Sequence, residues 1–317
     1  MNQKAVPNAS PLLVILAFAA VYIIWGSTYY FILVALETLP PFLMAGFRFL
    51  AAGGILLTWC LIREKKLISG QAIRNAGIAG LLLLLVGNGA VVFIEQYLPS
   101  ALAAILVATA PIWFILLDKP QWKQNFSSKE TLAGLAIGFL GVILLFGEQA
   151  SAMISGVAGE NGRMKIISLG VSTLGIVAWA SGSLFSKYKA DEGSVMQKTA
   201  WQMLLAGIAF MPVSAMNGEW STFDVHAVSA RSWMALAYLM VMGSLVAFSA
   251  YVWLLQVRPA TQVSTYAYVN PVVAVLLGVF LAHENVSWMQ IAGLATILGG
   301  VLLVNLAKMR KSRQSAP

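Results

Sequence analysis

The sequence is poor in cysteine, histidine and charged residues, and the shortages of cysteine and charge each exclude a class of protein. Cys60 is the single cysteine among 317 residues, which rules out an intramolecular disulfide and a metal site of clustered cysteines. Charged residues make up 10% of the chain, whereas soluble domains contain about 25%. Because 59% of the residues are hydrophobic, the composition indicates an integral membrane protein.

The motifs of enzymes and of ATP-driven pumps are also missing. The sequence contains neither the zinc-binding HExxH pattern nor a phosphate-binding P-loop. His226 and His283 both fall in predicted loops, and no pair of aspartates lies in the middle of the apolar runs. The sequence therefore predicts a protein that is not an enzyme and that uses no cofactor and no bound metal.

Long apolar runs are what the chain has in quantity. Ten of them are long enough to cross a bilayer core of about 30 Å, and they predict an all-α integral membrane protein. No cleavage site follows the first run, which is expected to remain as a helix. A glycine-containing loop at 148–165 divides the chain into two five-helix units, 12–147 and 166–307. The predicted spans are 12–35, 41–62, 73–95, 100–118, 131–147, 166–187, 198–216, 232–254, 260–282 and 286–307.

The basic residues are distributed unevenly between the two sides of the membrane. If the N-terminus is inside, sixteen of the 20 Lys and Arg residues fall in inside segments and three in outside loops. Positive residues concentrate on the cytoplasmic side of membrane proteins, so both termini are expected in the cytoplasm. The net charge of +8 thus reflects orientation in a lipid bilayer, and no clustered basic face indicates nucleic acid as a partner.

The two halves of the chain share a sequence pattern. Pro111 recurs 160 positions later as Pro271, and Trp25 recurs 154 positions later as Trp179. Halves with an odd number of helices must have opposite topology, so the sequence predicts ten transmembrane helices in two inverted five-helix repeats. Alternating-access carriers have this architecture, with the substrate site between the halves. Pro111 and Pro271 are the candidate hinges, because a proline kinks or locally unwinds a helix.

One segment, from Ser264 to Gly278, is polar and aromatic in its first half and aliphatic in its second half. Polar groups at membrane depth are costly unless they face protein or water. Tyr266, Tyr268 and Asn270 are therefore predicted to line a wet substrate cavity. The alternative is a proline-kinked structural helix whose tyrosines lie in the aromatic belt at the membrane interface.

Helices 1 and 6 carry matching aromatic and hydroxyl residues. Trp25, Thr28 and Tyr29 share one face of helix 1, and Trp179 and Ser183 have the same spacing in helix 6. We predict that these side chains line the cavity. The alternative is that small residues in both segments allow close helix packing.

Polar residues in the first-half spans leave several interpretations open. Arg48 either extends to the membrane interface, pairs with a buried acid such as Glu95, or binds a substrate carboxylate. Asn88, within Gly87–Gly89, makes either a helix–helix hydrogen bond or a substrate contact. Glu95 and Asp118 are near helix ends and are interpreted as interfacial residues rather than as proton carriers.

Small residues recur along helices 5 and 10, and Gly134 and Gly138 form a GxxxG motif. These helices are expected to form a scaffold or a dimer face rather than the cavity wall. The protein is accordingly predicted to be a monomer or a homodimer that takes a small molecule as its substrate.

Five stretches carry a resemblance to a known family: Tyr22–Tyr29, Pro40–Leu50, Gly87–Gly89, Thr265–Gly278 and His283–Glu284. Over residues 12 to 307 the chain resembles the drug/metabolite transporter superfamily, specifically the ten-helix EamA-type exporters of bacterial inner membranes. The resemblance implies two tandem EamA units, a central cavity with helices 5 and 10 behind it, and efflux of amino acids or similar metabolites. One departure is that the family often has a glutamate after helix 4, where this chain has the run Asp118–Lys123.

The residues and the resemblance together predict a multi-pass secondary transporter of the bacterial inner membrane. It would export amino acids or similar small amphipathic metabolites by alternating access. Aromatic rings would hold the body or ammonium group of the substrate, and Arg48 would contact its carboxylate. The alternatives are a sugar-phosphate or nucleotide-sugar antiporter, for which one arginine offers few cations, and a non-transporting membrane protein. The candidate substrate-binding residues are Trp25, Thr28, Tyr29, Arg48, Asn88, Trp179, Ser183, Tyr266, Tyr268 and Asn270.

Overall fold

The computed structural model describes residues 9–64, 68–97, 106–155, 162–189, 193–282 and 287–314. Within these ranges the chain is helical and contains no strand. His283 and Glu284 lie outside the described residues. The longer helices, numbered in chain order, are α1 (Pro11–Leu36), α2 (Pro41–Glu64), α3 (Gly70–Ile94), α4 (Ala110–Leu117), α5 (Lys129–Ser155), α6 (Gly162–Tyr188), α7 (Val195–Met216), α8 (Ala230–Val257), α9 (Tyr266–Ala282) and α10 (Trp288–Gln314).

Seven of these helices are long and apolar enough to cross a membrane: α1, α2, α3, α6, α7, α8 and α10. The segment Lys119–Phe126 and the first part of α5 meet at 94° and would together make an eighth span. In the described residues α4 has 8 residues and α9 has 17, too few for either to be counted. The all-helical membrane fold is therefore confirmed, whereas the predicted number of ten spans is not.

The loop predicted at 148–165 is partly helical. Helix α5 continues through Ser155 and α6 begins at Gly162. Residues 148–153 are Glu, Gln, Ala, Ser, Ala and Met, most of which favour the helix. They are polar enough to end an apolar run but do not end the helix.

Helices α3 and α8 are built alike. Each begins after a serine, Ser69 or Ser229, whose hydroxyl accepts a hydrogen bond from the backbone N–H three residues later. Each also contains a π-helical section, Leu81–Asn88 in α3 and Leu239–Phe248 in α8. Such sections shift the register of the side chains that follow and often mark functional sites.

Helices α2 and α7 cross at paired glycines. A Cβ on Gly53 would lie 2.6 Å from the backbone nitrogen of Leu204, and one on Gly207 would lie 2.6 Å from that of Leu50. Any larger residue would force the two backbones apart. The crossing therefore depends on glycine on both sides.

Two glutamates join the ends of α2 and α7 reciprocally. Glu219, just after α7, accepts hydrogen bonds from the first backbone N–H groups of α2, including that of Leu43 at 2.7 Å. Glu64, at the end of α2, accepts hydrogen bonds from Ser194 (2.7 Å) and Gln197 (2.8 Å) at the start of α7. A carboxylate near a helix N-terminus is favoured by the helix dipole, so each bond set stabilises the pair.

The glycine stripes of α5 and α10 pack against each other within the chain. A Cβ on Gly300 would lie 2.5 Å from the Gly138 nitrogen, and one on Gly141 would lie 2.6 Å from the Ile297 nitrogen. The small residues therefore serve close packing inside one subunit.

The bundle has two faces that are named here after one residue each. At the Lys187 face the ends of α4, α6 and α8 meet, and the Tyr188 hydroxyl there donates to Asp118. At the opposite Glu37 face α1 ends and α8 begins, and Arg231 forms an ion pair with Glu37 at 3.3 Å. Both faces are thus defined by contacts between helices of different halves.

Helix α9 is interrupted before Pro271 rather than at it. The short helix Ala260–Val263 is followed by a turn at Ser264–Thr265, and α9 then runs continuously through Pro271. Pro111 lies in the first turn of α4, where a missing N–H costs no helix hydrogen bond. The break in the ninth helix is therefore earlier than the sequence pattern indicates.

Candidate functional site

A cavity at the centre of the bundle is lined by residues of α1, α2, α3, α4, α6, α8 and α9. Its volume is about 90 Å³, and since one water needs roughly 10–15 Å³, it has room for a small solute. On α1 the lining runs from Trp25 to Ile32, towards the Glu37 face. On α6 the lining residue nearest to the Lys187 face is Trp179.

Four aromatic side chains lie at the end of the cavity nearest the Lys187 face: Trp25, Trp179, Tyr251 and Tyr266, called here the aromatic floor. The Trp25 ring lies 5.5 Å from that of Trp179, 4.9 Å from that of Tyr251 and 5.1 Å from that of Tyr266. Trp25 Nε1 donates to the Gly243 carbonyl at 3.2 Å, and Trp179 Nε1 donates to the Tyr251 hydroxyl at 3.0 Å. Both indole N–H groups are therefore satisfied while the rings remain free for contact.

Arg48 is a buried cation on the cavity wall. It is 5% exposed, so it does not extend to the membrane interface. Its Nε donates to the Ser244 hydroxyl at 2.8 Å, and its guanidinium carbon lies 4.9 Å from the centre of the Phe49 ring. Among the described residues it forms no ion pair, with Glu95 or with any other acid. Its terminal nitrogens can therefore bind an anion in the cavity.

Unpartnered polar atoms accompany Arg48 on the cavity wall. In the part of the chain that the structure describes, Asn88 Oδ1, Asn270 Oδ1 and Ser172 Oγ are buried without a hydrogen-bond partner, and all three residues line the cavity. A buried polar group left unpaired costs about 1–3 kcal/mol, which a ligand with suitable groups would remove. This wall can bind a solute that carries both a carboxylate and N–H or O–H donors.

Most of the predicted binding residues meet in this cavity, and a few do not. Ser183 lies outside the cavity, with its hydroxyl 2.6 Å from that of Tyr251. The candidate hinges Pro111 and Pro271 are not lining residues either, although their neighbours Ala110 and Asn270 are. The predicted residues that line the cavity are Trp25, Thr28, Tyr29, Arg48, Asn88, Trp179, Tyr266 and Asn270.

Tyr268 also lies outside the cavity. It is fully buried, its ring would touch a Cβ placed on Gly138 of α5, and its hydroxyl donates to the Leu135 carbonyl at 3.0 Å. Tyr266 and Asn270 are four residues apart and share one face of α9, whereas Tyr268 lies between them and faces another way. The side chains of this polar segment therefore lie in two environments, the cavity and the contact with α5.

The sequence analysis does not identify several residues of the site, among them Ser172, Gly243, Ser244 and Tyr251. A Cβ on Gly243 would lie 2.9 Å from Nη2 of Arg48, so the absence of a side chain leaves space for the guanidinium. The signal in the sequence is that Gly243 and Ser244 interrupt the apolar run of the eighth helix.

Glu95 and Asp118 are buried in the protein, with exposures of 8% and 1%. Asp118 accepts a hydrogen bond from Tyr188. Neither carboxylate oxygen of Glu95 has a partner among the described residues. The interfacial position of both acids stays a prediction, and the structure adds that other helices cover them, which closeness to a helix end does not reveal.

Several hydrogen bonds close the Lys187 face beyond the aromatic floor. Lys187 Nζ donates to the carbonyl oxygens of Leu255 and, at 2.8 Å, of Arg258 at the end of α8. The hydroxyls of Tyr22 on α1 and Thr265 before α9 are 2.7 Å apart. The Tyr22–Thr265 contact connects the two halves, whereas the Lys187 bonds connect α6 and α8 within the second half.

The apolar helices and the central cavity with its unpaired binding groups define a class of protein, the helical membrane transporters. The EamA-like transporter family matches residues 12–147 and 166–306 of this chain. The chain therefore belongs to the EamA-like transporter family, which confirms the resemblance found in the sequence.

Similar proteins are named as transporters as well. The chain is 40% identical over 295 residues to the "Uncharacterized inner membrane transporter YedA" of Escherichia coli K12, covering 92% of this chain and 90% of that protein. It is 24% identical to the "Probable amino-acid metabolite efflux pump" of Salmonella typhimurium, covering 92% and 94%. A solved crystal structure matches with a TM-score of 0.72 at 17% identity, covering 94% of this chain and 99% of the other. At that identity the match shows the fold alone.

Proposed function

We propose that this chain exports amino acids or similar small amphipathic metabolites across the bacterial inner membrane by alternating access, without acting as an enzyme. The observation that carries the proposal is Arg48, a buried cation without an acid partner among the described residues, on the wall of a small cavity. The unpaired oxygens of Asn88 and Asn270 share this wall. An amino acid would place its carboxylate against the guanidinium and its ammonium against such oxygens.

The cavity favours this substrate class over sugar phosphates or nucleotide sugars. Arg48 is the one cation among its described lining residues, whereas a phosphate carries more charge than one guanidinium neutralises. The volume of about 90 Å³ also suits a small solute better than a nucleotide sugar. The amino-acid metabolite efflux pump among the similar proteins supports the same choice.

The packing of the helices supports ten spans in two inverted five-helix repeats. Helix α1 packs on α8 and α9, while α6 packs on α3 and α4; α2 pairs with α7, and α5 pairs with α10. Exchange of the two halves converts the contacts of α1 into those of α6 and leaves the α2–α7 and α5–α10 pairs unchanged. Trp25 bonds to Gly243 in the π section of α8, and Trp179 lies against Gly87 in that of α3, as two repeats would require.

The hydrogen bonds at the Lys187 face support an outward-facing state. With both termini in the cytoplasm, this face is cytoplasmic and the Glu37 face is periplasmic. The aromatic floor and the bonds between the halves, Tyr22 with Thr265 and Tyr188 with Asp118, then separate the cavity from the cytoplasm. Export requires that these bonds break to admit substrate and re-form before its release.

Secretion by cells that express the protein tests the proposal. Media from cells with wild type, Arg48→Gln or Tyr268→Phe, at matched membrane levels, would be compared by untargeted mass spectrometry with an empty-vector control. We expect wild type to release one or more amino acids or close derivatives. The Arg48→Gln variant should secrete at least about tenfold less of these compounds than wild type, because a hydrogen bond to a charged group contributes about 1.5–3 kcal/mol.

Tyr268→Phe is the matched control, because it removes a buried hydroxyl that lies outside the cavity. It should secrete like wild type. A wild-type medium indistinguishable from the empty-vector medium, or an Arg48→Gln medium indistinguishable from wild type, would refute the proposal.

A further inference from the structure

Glu95 lies about one helical turn beyond the cavity, near the Glu37 face. Asn88, Val91 and Glu95 are spaced three and four residues apart and share one face of α3. The first two line the cavity. On α1, Tyr29 also lines the cavity, and it interacts electrostatically with Glu95. Glu95 is therefore adjacent to the substrate site without forming part of its wall.

The Glu95 carboxyl is buried without compensation. It is 8% exposed, and within the described part of the chain neither of its oxygens has a hydrogen-bond partner. Arg48, the cation of the cavity, is held by Ser244 and forms no ion pair with it. An ionised carboxylate is strongly disfavoured in such a place, whereas the neutral acid is tolerated.

Among the side chains that the structure describes, no cation forms an ion pair with Glu95. Helix α1 contributes the neutral Tyr29 phenol. Helix α6 packs beside Ile94 through Val171, and next to Val171 it carries the unpartnered Ser172 hydroxyl. Glu95 follows the last residue of the α3 span, and burial raises the pKa of its carboxyl to about 8.

We propose that Glu95 is a proton-binding site and that its proton is exchanged for the exported solute. The second part rests on the proposed function. In the outward-facing state one proton from the periplasmic side binds the carboxylate and forms the neutral acid. The carrier reorients, the acid becomes accessible from the cytoplasm, and the proton leaves there. The empty carrier reorients only in the protonated form, because the ionised form would hold an unpaired buried charge. The loaded carrier returns with Glu95 ionised, because the ammonium group of the solute compensates that charge.

Infrared spectroscopy tests the proton site without any substrate. A protonated carboxyl has a C=O stretching band that is separate from the bands of a carboxylate. In the detergent-solubilised full-length protein at neutral pH, we expect Glu95→Gln to remove part of this band. Glu64→Gln is the matched control and should leave the band unchanged, because both oxygens of Glu64 already accept hydrogen bonds.

Two results would overturn the proton site. One is a carboxyl band that Glu95→Gln leaves intact at neutral pH. The other is a Glu95 carboxylate that forms on addition of sodium at neutral pH, which would assign the site to a metal cation instead. If Glu95→Gln does not fold, Glu95→Leu is measured instead, and the same part of the carboxyl band should be missing.

Proteoliposomes test the coupling. The probe is a mixture of radiolabelled amino acids, measured in counterflow at equal pH and in accumulation driven by an acidic lumen. We expect the counterflow rate of Glu95→Gln to be within about twofold of the wild-type rate. Its pH-driven accumulation should be at least about tenfold lower than that of wild type. Glu64→Gln should keep both activities.

The two proposals fail in different ways. Wild type without counterflow would contradict amino-acid transport, while the infrared result would still decide the proton site. Wild-type counterflow that a pH gradient never converts into accumulation would contradict proton exchange and leave transport intact. A Glu95→Gln variant that accumulates substrate like wild type would contradict the role of this carboxyl.

Discussion

The position of the Trp179 ring depends on one hydroxyl group. The Tyr251 hydroxyl accepts the Trp179 N–H at 3.0 Å and lies 2.6 Å from the Ser183 hydroxyl. Tyr251→Phe removes this acceptor from a buried indole whose other polar neighbour is Tyr266, at a cost of about 1–3 kcal/mol. We expect this variant to unfold at a lower temperature in detergent and to bind substrate more weakly, because the floor is less ordered.

Tyr30→Phe is the control for this change, because Tyr30 is 47% exposed and its hydroxyl has only a long contact of 3.4 Å with Arg231. Its unfolding temperature should match that of wild type. Equal unfolding temperatures for Tyr251→Phe and wild type would show that the hydroxyl does not hold the floor.

Sequence patterns identify part of the cavity wall and miss the rest for a physical reason. Trp25 and Tyr29 share one face of α1, and this can be predicted because helical spacing is a local property of the sequence. Tyr268 has the same polar surroundings in sequence as Asn270, yet it packs on α5. Which face of a helix meets a cavity depends on the neighbouring helices, and single-sequence spacing does not contain that information.

At the scale of elements, the α5–α10 pair offers a sharp comparison between adjacent glycines. A Cβ on Gly300 would lie 2.5 Å from the Gly138 nitrogen and 2.6 Å from the Gly134 oxygen, whereas nothing lies within 4 Å of one on Gly299. Gly300→Ala should therefore destabilise the protein by about 1–3 kcal/mol through overpacking. Gly299→Ala should be neutral or stabilising by up to about 1 kcal/mol, because alanine favours the helix.

Thermal unfolding of the two single variants in the same detergent measures this difference. A Gly300→Ala protein as stable as Gly299→Ala would mean that the helices separate without cost and that this pair is not a tight scaffold.

Helix positions follow from the sequence more directly than helix geometry does. Apolar runs predict α3 and α8 to within a few residues, since the bilayer fixes their length. They do not predict the π sections Leu81–Asn88 and Leu239–Phe248, because the apolar side chains there suit α and π helix equally. The break before α9 is likewise displaced from Pro271 to Ser264–Thr265, where contacts such as Tyr22 with Thr265 stabilise the turn.

At the scale of the whole molecule, similar halves end in different ways at the two faces. At the Lys187 face a partly buried lysine binds the carbonyl oxygens at the end of α8. At the end of α3, the counterpart of α8 in the proposed repeat, Glu95 has no partner among the described residues. The Lys187 face therefore has hydrogen bonds from a cationic side chain, while the Glu37 face combines the Arg231–Glu37 ion pair with an acid that has no partner in the described residues. In the proposed alternating-access mechanism, the bonds at the Lys187 face would break when that face opens.

Lys187 is expected to control the balance between the two states. Lys187→Met removes the hydrogen bonds to Leu255 and Arg258, and a hydrogen bond from a charged donor contributes about 1.5–3 kcal/mol. The population of an opened Lys187 face should then rise by about tenfold or more.

Pulsed electron paramagnetic resonance measures this change between spin labels on cysteines that replace Lys189 and Arg258, in a Cys60→Ser background. In the Lys187→Met protein we expect a second, longer distance between the two labels. Lys129→Met, which changes an exposed lysine at the start of α5, should leave the distances as in wild type. A single unchanged distance in the Lys187→Met protein would mean that other contacts, such as the bond from Tyr188 to Asp118, keep the face closed without the lysine.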